Sequence, residues 1–137
     1  NRICWFRLDF RRRIIKMIFK FIDRVLEQTD DKIVAIKNVT INEPYFRDHV
    51  IDGTPVLPGT ILLETIGQAA DILLGTMTYL VKIEEARFYE KTIPGDQLRI
   101  EVIKLRSIGK IHKVSGVGIV DGKKHVEVKF TLREDDV

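Results

Sequence analysis

Five residues in one short stretch carry the chemistry this chain offers: His49, Pro58, Gly59, Glu64 and Gln68. The stretch opens as a polar loop, Asp48-His49-Val50-Ile51-Asp52-Gly53-Thr54-Pro55-Val56-Leu57-Pro58-Gly59. It continues as an apolar run, Thr60-Ile61-Leu62-Leu63-Glu64-Thr65-Ile66-Gly67-Gln68. An unperturbed imidazole titrates at about 6.5, so His49 is suited to taking a proton near neutral pH. Its bland alternative is a loop histidine bonded to backbone. A carboxylate among apolar side chains has its charged form disfavoured, which suits Glu64 to holding a proton. The rival reading, a surface glutamate, fits poorly beside Leu62, Leu63 and Ile66. Pro58 cannot donate a backbone N–H, so the helix is predicted to begin at that point. The Gly59 amide then lies where helix donors are free and the macrodipole favours developing negative charge. Gln68 follows Glu64 by one turn on the same face and is placed to orient its carboxylate.

These residues need a scaffold. From Thr60 to about Tyr79 the apolar positions wrap most of the way round a helix, which predicts burial on most sides. Gly67 and Ala69-Ala70 are small enough to let a neighbour approach, and Gly75 weakens the end. Before the loop, residues 18–29 suit a helical turn leading into a strand, and Ile33–Thr40 reads as a strand paired back on it. After the helix come four strand-like runs, Val81–Tyr89, Leu98–Arg106, Lys110–Val120 and Lys124–Leu132. Asp121-Gly122 between alternating runs is the strongest hairpin signal. The expectation is α+β: two strands, one long helix, then a four-stranded antiparallel meander. One curved sheet covers one side of such a helix, so a dimer partner is expected to complete its burial. The tail 133–137 is expected to fray.

Composition narrows the class. At 137 residues, 45% hydrophobic and 31% charged, the chain reads as one globular domain. No apolar run approaches the ~18 residues of a membrane span. The net charge of +3 is uneven: residues 1–16 hold six basic side chains against Asp9, leaving a net −2 elsewhere. That argues against nucleic-acid binding by the domain itself. Residues 1–16 are expected to be a basic N-terminal appendage, with the domain spanning 17–137. A start on Asn1 implies that something precedes it or was removed, and the leader has no signal-peptide h-region. One cysteine, Cys4, argues against an internal disulfide or a cysteine-based zinc site and is compatible with a reducing, cytoplasmic setting. No cluster suggests a metal, and no glycine-rich loop suggests a nucleotide cofactor. His112 and His125 fall in late strands and read as structural or exposed.

Four segments in order resemble the β-hydroxyacyl-acyl-carrier-protein dehydratases of the FabZ type, which have the hotdog fold. They are Ile22–Leu26, Ile33–Pro44, the His49 stretch, and Ala86-Arg87-Phe88 with Ile93–Leu98. The resemblance extends over most of the chain, roughly residues 17–132. The resemblance implies an antiparallel curved sheet wrapped around one long central helix. It implies removal of water from (3R)-hydroxyacyl thioesters on acyl carrier protein to give trans-2-enoyl thioesters, without a cofactor. It places His49 as base, Glu64 as acid supplied by the facing subunit, and Pro58, Gly59 and Gln68 around the substrate. It also implies a homodimer with two composite sites, often a trimer of dimers. Arg87, Lys91, Lys104, Arg106, Lys110 and Lys113 offer positive charge to an acidic carrier protein, or form a solvated strand face.

The match has departures. His49-x-x-x-Gly53-x-x-x-x-Pro58 is one residue longer than the FabZ spacing and resembles polyketide synthase dehydratase domains. Val50 replaces the usual Phe, and the Pro-His-Arg entry before the first strand is replaced by Arg13–Met17. Glu64 matches the simple dehydratases, whereas the related dehydratase-isomerases carry Asp. Two rival functions remain at this level: a hotdog acyl-thioesterase, which would not need His49, and a non-catalytic acyl-binding hotdog protein.

Overall fold

The structure is a computed structural model and describes residues 19–135; the expected 1–16 appendage lies outside them. Eight strands and one helix follow in the order β1 (Arg24–Gln28), β2 (Lys32–Asn38), β3 (Val50–Ile51), β4 (Thr54–Pro55), α1 (Gly59–Leu74), β5 (Thr78–Phe88), β6 (Gln97–Ile108), β7 (Ile111–Val120) and β8 (Lys123–Glu134). A 3-10 turn over Pro44–Arg47 leads into the His49 loop.

Six strands form one antiparallel sheet in the order β1-β2-β6-β7-β8-β5, and α1 packs on it. This is the hotdog arrangement, α+β as expected. The expected four-stranded meander is corrected in one respect. β6, β7 and β8 are consecutive hairpins, but β5 pairs with β8 rather than with β6. The segment between β5 and β6 does not make a tight turn. It is bonded elsewhere: Leu57 N–H donates to the Thr92 carbonyl (2.7 Å), Gly95 N–H to Val39 (2.8 Å), and Val39 N–H to Asp96 (2.9 Å). Those bonds carry the chain across the helix start and place β5 on the sheet's outer edge.

The core is the contact between α1 and the sheet's inner face. Leu62, Ile66, Ala69 and Ala70 on α1 meet Ile33, Leu98, Ile100, Val102, Val114, Val126 and Val128, all essentially inaccessible. The period of α1 supplies one set, and the period-2 alternation of β6, β7 and β8 supplies the other. The close approach differs from expectation. Gly67 has open space around its Cα. The glycine that makes room between sheet and helix is instead Gly116, where an added Cβ would lie 2.4 Å from Ile66 Cγ2.

α1 is shorter than its sequence pattern suggests. It ends at Leu74 because Gly75 adopts φ 70°, and the Gly75 amide donates back to the Asp71 and Ile72 carbonyls. Thr78-Tyr79-Leu80 therefore belong to β5. The tail expected to fray is held as far as Asp135: Glu134 N–H donates to the Lys110 carbonyl and Asp135 N–H to Met77, both at 2.9 Å. Among the described residues, no helix is long and apolar enough to cross a membrane.

Candidate active site

The His49 loop is a miniature hairpin. β3 and β4 pair Val50 with Pro55 and Ile51 with Thr54, closed by Asp52-Gly53 at φ 50° and 77°. Both turn residues have positive φ, the geometry in which Asp-Gly joins adjacent strands without splaying them. Asp121-Gly122 does the same between β7 and β8, at φ 49° and 78°. The extra residue between His49 and Gly53 is thus absorbed into a complete two-residue turn. Sequence reasoning used this signal at Asp121-Gly122 and missed it at Asp52-Gly53.

The base of the hairpin fixes the imidazole. Val56 N–H donates to the His49 carbonyl (2.9 Å), and His49 Nδ1 lies 2.6 Å from the Val56 carbonyl. A carbonyl only accepts, so Nδ1 is the protonated nitrogen. In the neutral ring Nε2 is then left as the acceptor. The backbone-bonded loop histidine and the candidate base are therefore one arrangement: the bond to backbone selects the tautomer a base needs.

His49 lines a cavity of about 650 Å³ together with Leu57, Gly59, Leu62, Phe88, Lys91 and Thr92, among others. Gly59 is the first residue of α1, so its amide lies outside the helix's own hydrogen-bond ladder. The Pro58 carbonyl accepts the first helical bonds, from Ile61 (3.0 Å) and Leu62 (3.3 Å). Phe88, which sequence reasoning did not single out, lies over Gly59: a Cβ there would be 2.9 Å from Phe88 Cε1. A larger residue would force the ring away. Val50, where the family has Phe, is half exposed and does not line this cavity.

Glu64 is elsewhere. It lines a second cavity, of about 400 Å³, with Thr60, Leu63, Gly67, Asp71 and Thr78 and with apolar side chains of β5 and β8. Within one chain the structure does not bring His49 and Glu64 into one cavity. Glu64 is also exposed, so the apolar walls of this cavity do not enclose it. Gln68 Nε2 donates to Glu64 Oε1 (3.3 Å) and to the Phe19 carbonyl (3.0 Å), while Gln68 Oε1 accepts from Phe21 N–H (2.8 Å). The carboxylate is thereby tied to the segment before β1.

Asp71 is the titratable group that sequence reasoning missed. It lies seven residues after Glu64 and three after Gln68, so the spacing 64, 68, 71 was the available signal. Burial pushes its carboxyl up from 3.8 to about 6, the nearby Glu64 charge adds to this, and bonds from Thr78 work against it. Thr78 Oγ1 donates to Asp71 Oδ1.

The remaining histidines are buried and partnered. His125 Nδ1 lies 2.8 Å from Thr92 Oγ1 beneath the His49 cavity. His112 bridges Ser107 (2.6 Å) and Glu134 (2.8 Å), bracing the β6–β7 hairpin. Among the described residues, no group of three or more His, Cys, Asp or Glu is placed to hold a metal. Of the candidate docking cations, Lys91 lines the His49 cavity, 3.9 Å from Asp52. Arg87, Lys104 and Lys113 pair with Glu85 (2.7 Å), Asp31 (3.8 Å) and Glu84 (3.8 Å).

The model of the FabA-like domain matches residues 15–129. The chain is 40% identical over 123 residues to the 3-hydroxyacyl-[acyl-carrier-protein] dehydratase FabZ of Lactococcus lactis subsp. lactis, covering 85% of this chain and 81% of that protein. It is 40% identical over 126 residues to the protein of the same name from Solibacter usitatus, covering 86% and 77%. Among solved structures, the dehydratase heterocomplex ApeI:P from Xenorhabdus doucetiae matches with a TM-score of 0.69 at 16% identity, covering 85% of this chain and all of that one. A hypothetical thioesterase protein with coenzyme A from Streptococcus pneumoniae matches at 0.67 and 12%, covering 82% and 84%. At such identities the solved structures speak to the fold alone.

Proposed function

This chain belongs to the FabA-like domain family, and from that premise we propose how it works: it is a 3-hydroxyacyl-[acyl-carrier-protein] dehydratase of fatty acid biosynthesis whose active site forms between two copies of the chain. The single observation that carries the composite site is the separation of His49 and Glu64 into different cavities of one chain. A proton acceptor and a proton donor for one substrate must meet. A two-fold pairing puts the His49 cavity of one copy against the Glu64 cavity of the other, twice.

β5 supports that pairing. It is an edge strand of the sheet, and Tyr79, Leu80, Val81 and Ile83 are 42–52% exposed on it. A long apolar edge with free backbone groups is a template for another strand. A second copy laid against it gives a continuous sheet, hides those side chains and encloses the exposed Glu64.

The chemistry follows from the anchored groups. His49 Nε2 removes a proton from the carbon next to the thioester carbonyl. Negative charge grows on the carbonyl oxygen, and the Gly59 amide at the start of α1 receives it. Glu64 of the facing copy, steadied by Gln68, gives its proton to the departing β-hydroxyl. The C–O bond breaks, the Cα–Cβ double bond forms, and water leaves. Exchange of one proton from the imidazolium to the carboxylate through solvent restores both groups. Pro58 sets the helix start and so the position of the Gly59 donor. Lys91 at the His49 cavity offers charge to an acidic carrier protein.

The test is a thioester assay on 3-hydroxyacyl- and crotonyl-acyl carrier protein, with coenzyme A thioesters alongside. Reversible change in enoyl absorbance, lost in His49→Ala and in Glu64→Gln, is the expected result. Hydration unaffected by His49→Ala would sink the mechanism. Release of free thiol without enoyl chemistry would point instead to thioester hydrolysis.

A further inference from the structure

The Glu64 cavity has an uneven interior. Leu63, Met77, Leu80, Ile83, Phe130 and Leu132 give it the apolar walls an acyl chain needs. Asp71 and Thr78 interrupt them with a carboxylate and a hydroxyl. Glu64 and Asp71 are seven residues apart on α1, which puts Asp71 ~10 Å further along the helix axis. A substrate reacting between His49 and Glu64 has its thioester at Gly59, in the His49 cavity, so its tail continues past Glu64 into this second cavity. Asp71 lies in the path of that tail.

We propose that Asp71, held by Thr78, is an end-stop in the acyl cavity: the enzyme favours 3-hydroxyacyl chains that finish short of Asp71 over long saturated chains that must lie against it. This inference rests on the dehydratase reading above. A hydrocarbon tail that reaches Asp71 strips water from a carboxylate and offers no hydrogen bond in return. Burying a charge without a compensating partner is costly. The Thr78 hydroxyl and backbone N–H both bond to Asp71. Glu64, on the same helix, works against the Asp71 charge, and the β5 and β8 walls facing it are otherwise apolar. The group is already poorly solvated, since burial has raised its pKa to about 6. At neutral pH it is mostly ionised, so a long tail must either lie against a charge or bind only when the carboxylate has taken a proton from solvent.

The experiment measures kcat/KM for 3-hydroxyacyl-acyl carrier protein substrates from butyryl to palmitoyl length, in the full chain and in two variants. Asp71→Asn keeps the shape and the bond from Thr78 but removes the charge. Its long-to-short ratio of kcat/KM is expected to rise by about tenfold or more, the scale of a partly relieved charge-burial cost. Thr78→Val removes one bond that favours the ionised carboxyl, so more of Asp71 holds a proton at neutral pH, and its ratio is expected to rise too, by less than in Asp71→Asn. Binding of 3-deoxyacyl carrier protein of the same lengths, which cannot dehydrate, is followed in parallel. Parallel chain-length profiles in all three proteins, in turnover and in binding, would overturn the end-stop. No turnover at any length, with the Asp71→Asn shift still present in binding, would overturn the dehydratase reading and leave the end-stop standing.

Discussion

Replacing Asp71 by Asn is expected to make the protein more stable, and only above a defined pH. The carboxyl has a folded-state pKa of about 6 against an ordinary 3.8, raised chiefly by burial. A raised value means that the folded chain holds the proton more tightly than the unfolded chain. Asp71 is therefore no burden below about pH 3.8, and its ionisation costs stability progressively as pH rises through 6, after which the cost is constant. A gap of just over two pH units, at 1.36 kcal/mol each, makes that cost roughly 3 kcal/mol. Asn does not titrate, and its side-chain oxygen still accepts the Thr78 hydroxyl. The assay is urea unfolding of both proteins at fixed concentration at acidic, intermediate and neutral pH, because an oligomer's stability depends on concentration. At neutral pH the variant's midpoint should lie higher by on the order of 1 M or more. Near pH 4 the two midpoints should converge. A gap that does not change with pH, or a variant less stable throughout, would refute the reasoning. A group that costs this much and remains fits a functional role better than a structural one.

Other outcomes follow from the same geometry. Mixing His49→Ala with Glu64→Gln chains, each inactive alone, should restore about a quarter of wild-type activity after subunit exchange, since half the two-fold pairs are mixed and each mixed pair has one intact site; no recovery would place both residues in one chain's site. Gly59→Ala should push Phe88 aside, because the new Cβ lies 2.9 Å from its ring. The ring, pushed within the His49 cavity that it lines, should crowd the substrate there and lower kcat by about 10²-fold, while thermal melting changes little because Phe88 is half exposed. Gly116→Ala should instead cost about 1–3 kcal/mol of stability, read by urea unfolding, because its Cβ meets Ile66 Cγ2 at 2.4 Å inside a packed core. Val81→Lys on the β5 edge should shift the mass measured by sedimentation towards a single chain and abolish turnover; an unchanged mass would move the interface elsewhere.

The sequence by itself determined the elements and their chemistry. The His49 loop, the helix start at Pro58-Gly59, the Asp121-Gly122 hairpin and the alternating strands are local patterns, and local patterns fix local backbone. The spacing of Glu64 and Gln68 fixed their shared face of α1, and their bond in the structure uses it. Where the local reading failed, a competing local rule was present. Gly75 at φ 70° stops the helix that the apolar pattern would carry to Tyr79. Asp52-Gly53 makes a hairpin where a loop was expected. Other facts were beyond any local rule. That β5 pairs with β8 depends on where the 89–96 segment is bonded, and its partners are Val39 and Leu57, far away in the chain. That His49 and Glu64 open into different cavities depends on which walls meet either side of α1. The burial of Asp71 depends on β5 and β8 closing over the last turns of α1. Periodicity states which residues share a face of an element. What that face meets is set by contacts between distant segments, and only the assembled tertiary structure contains them.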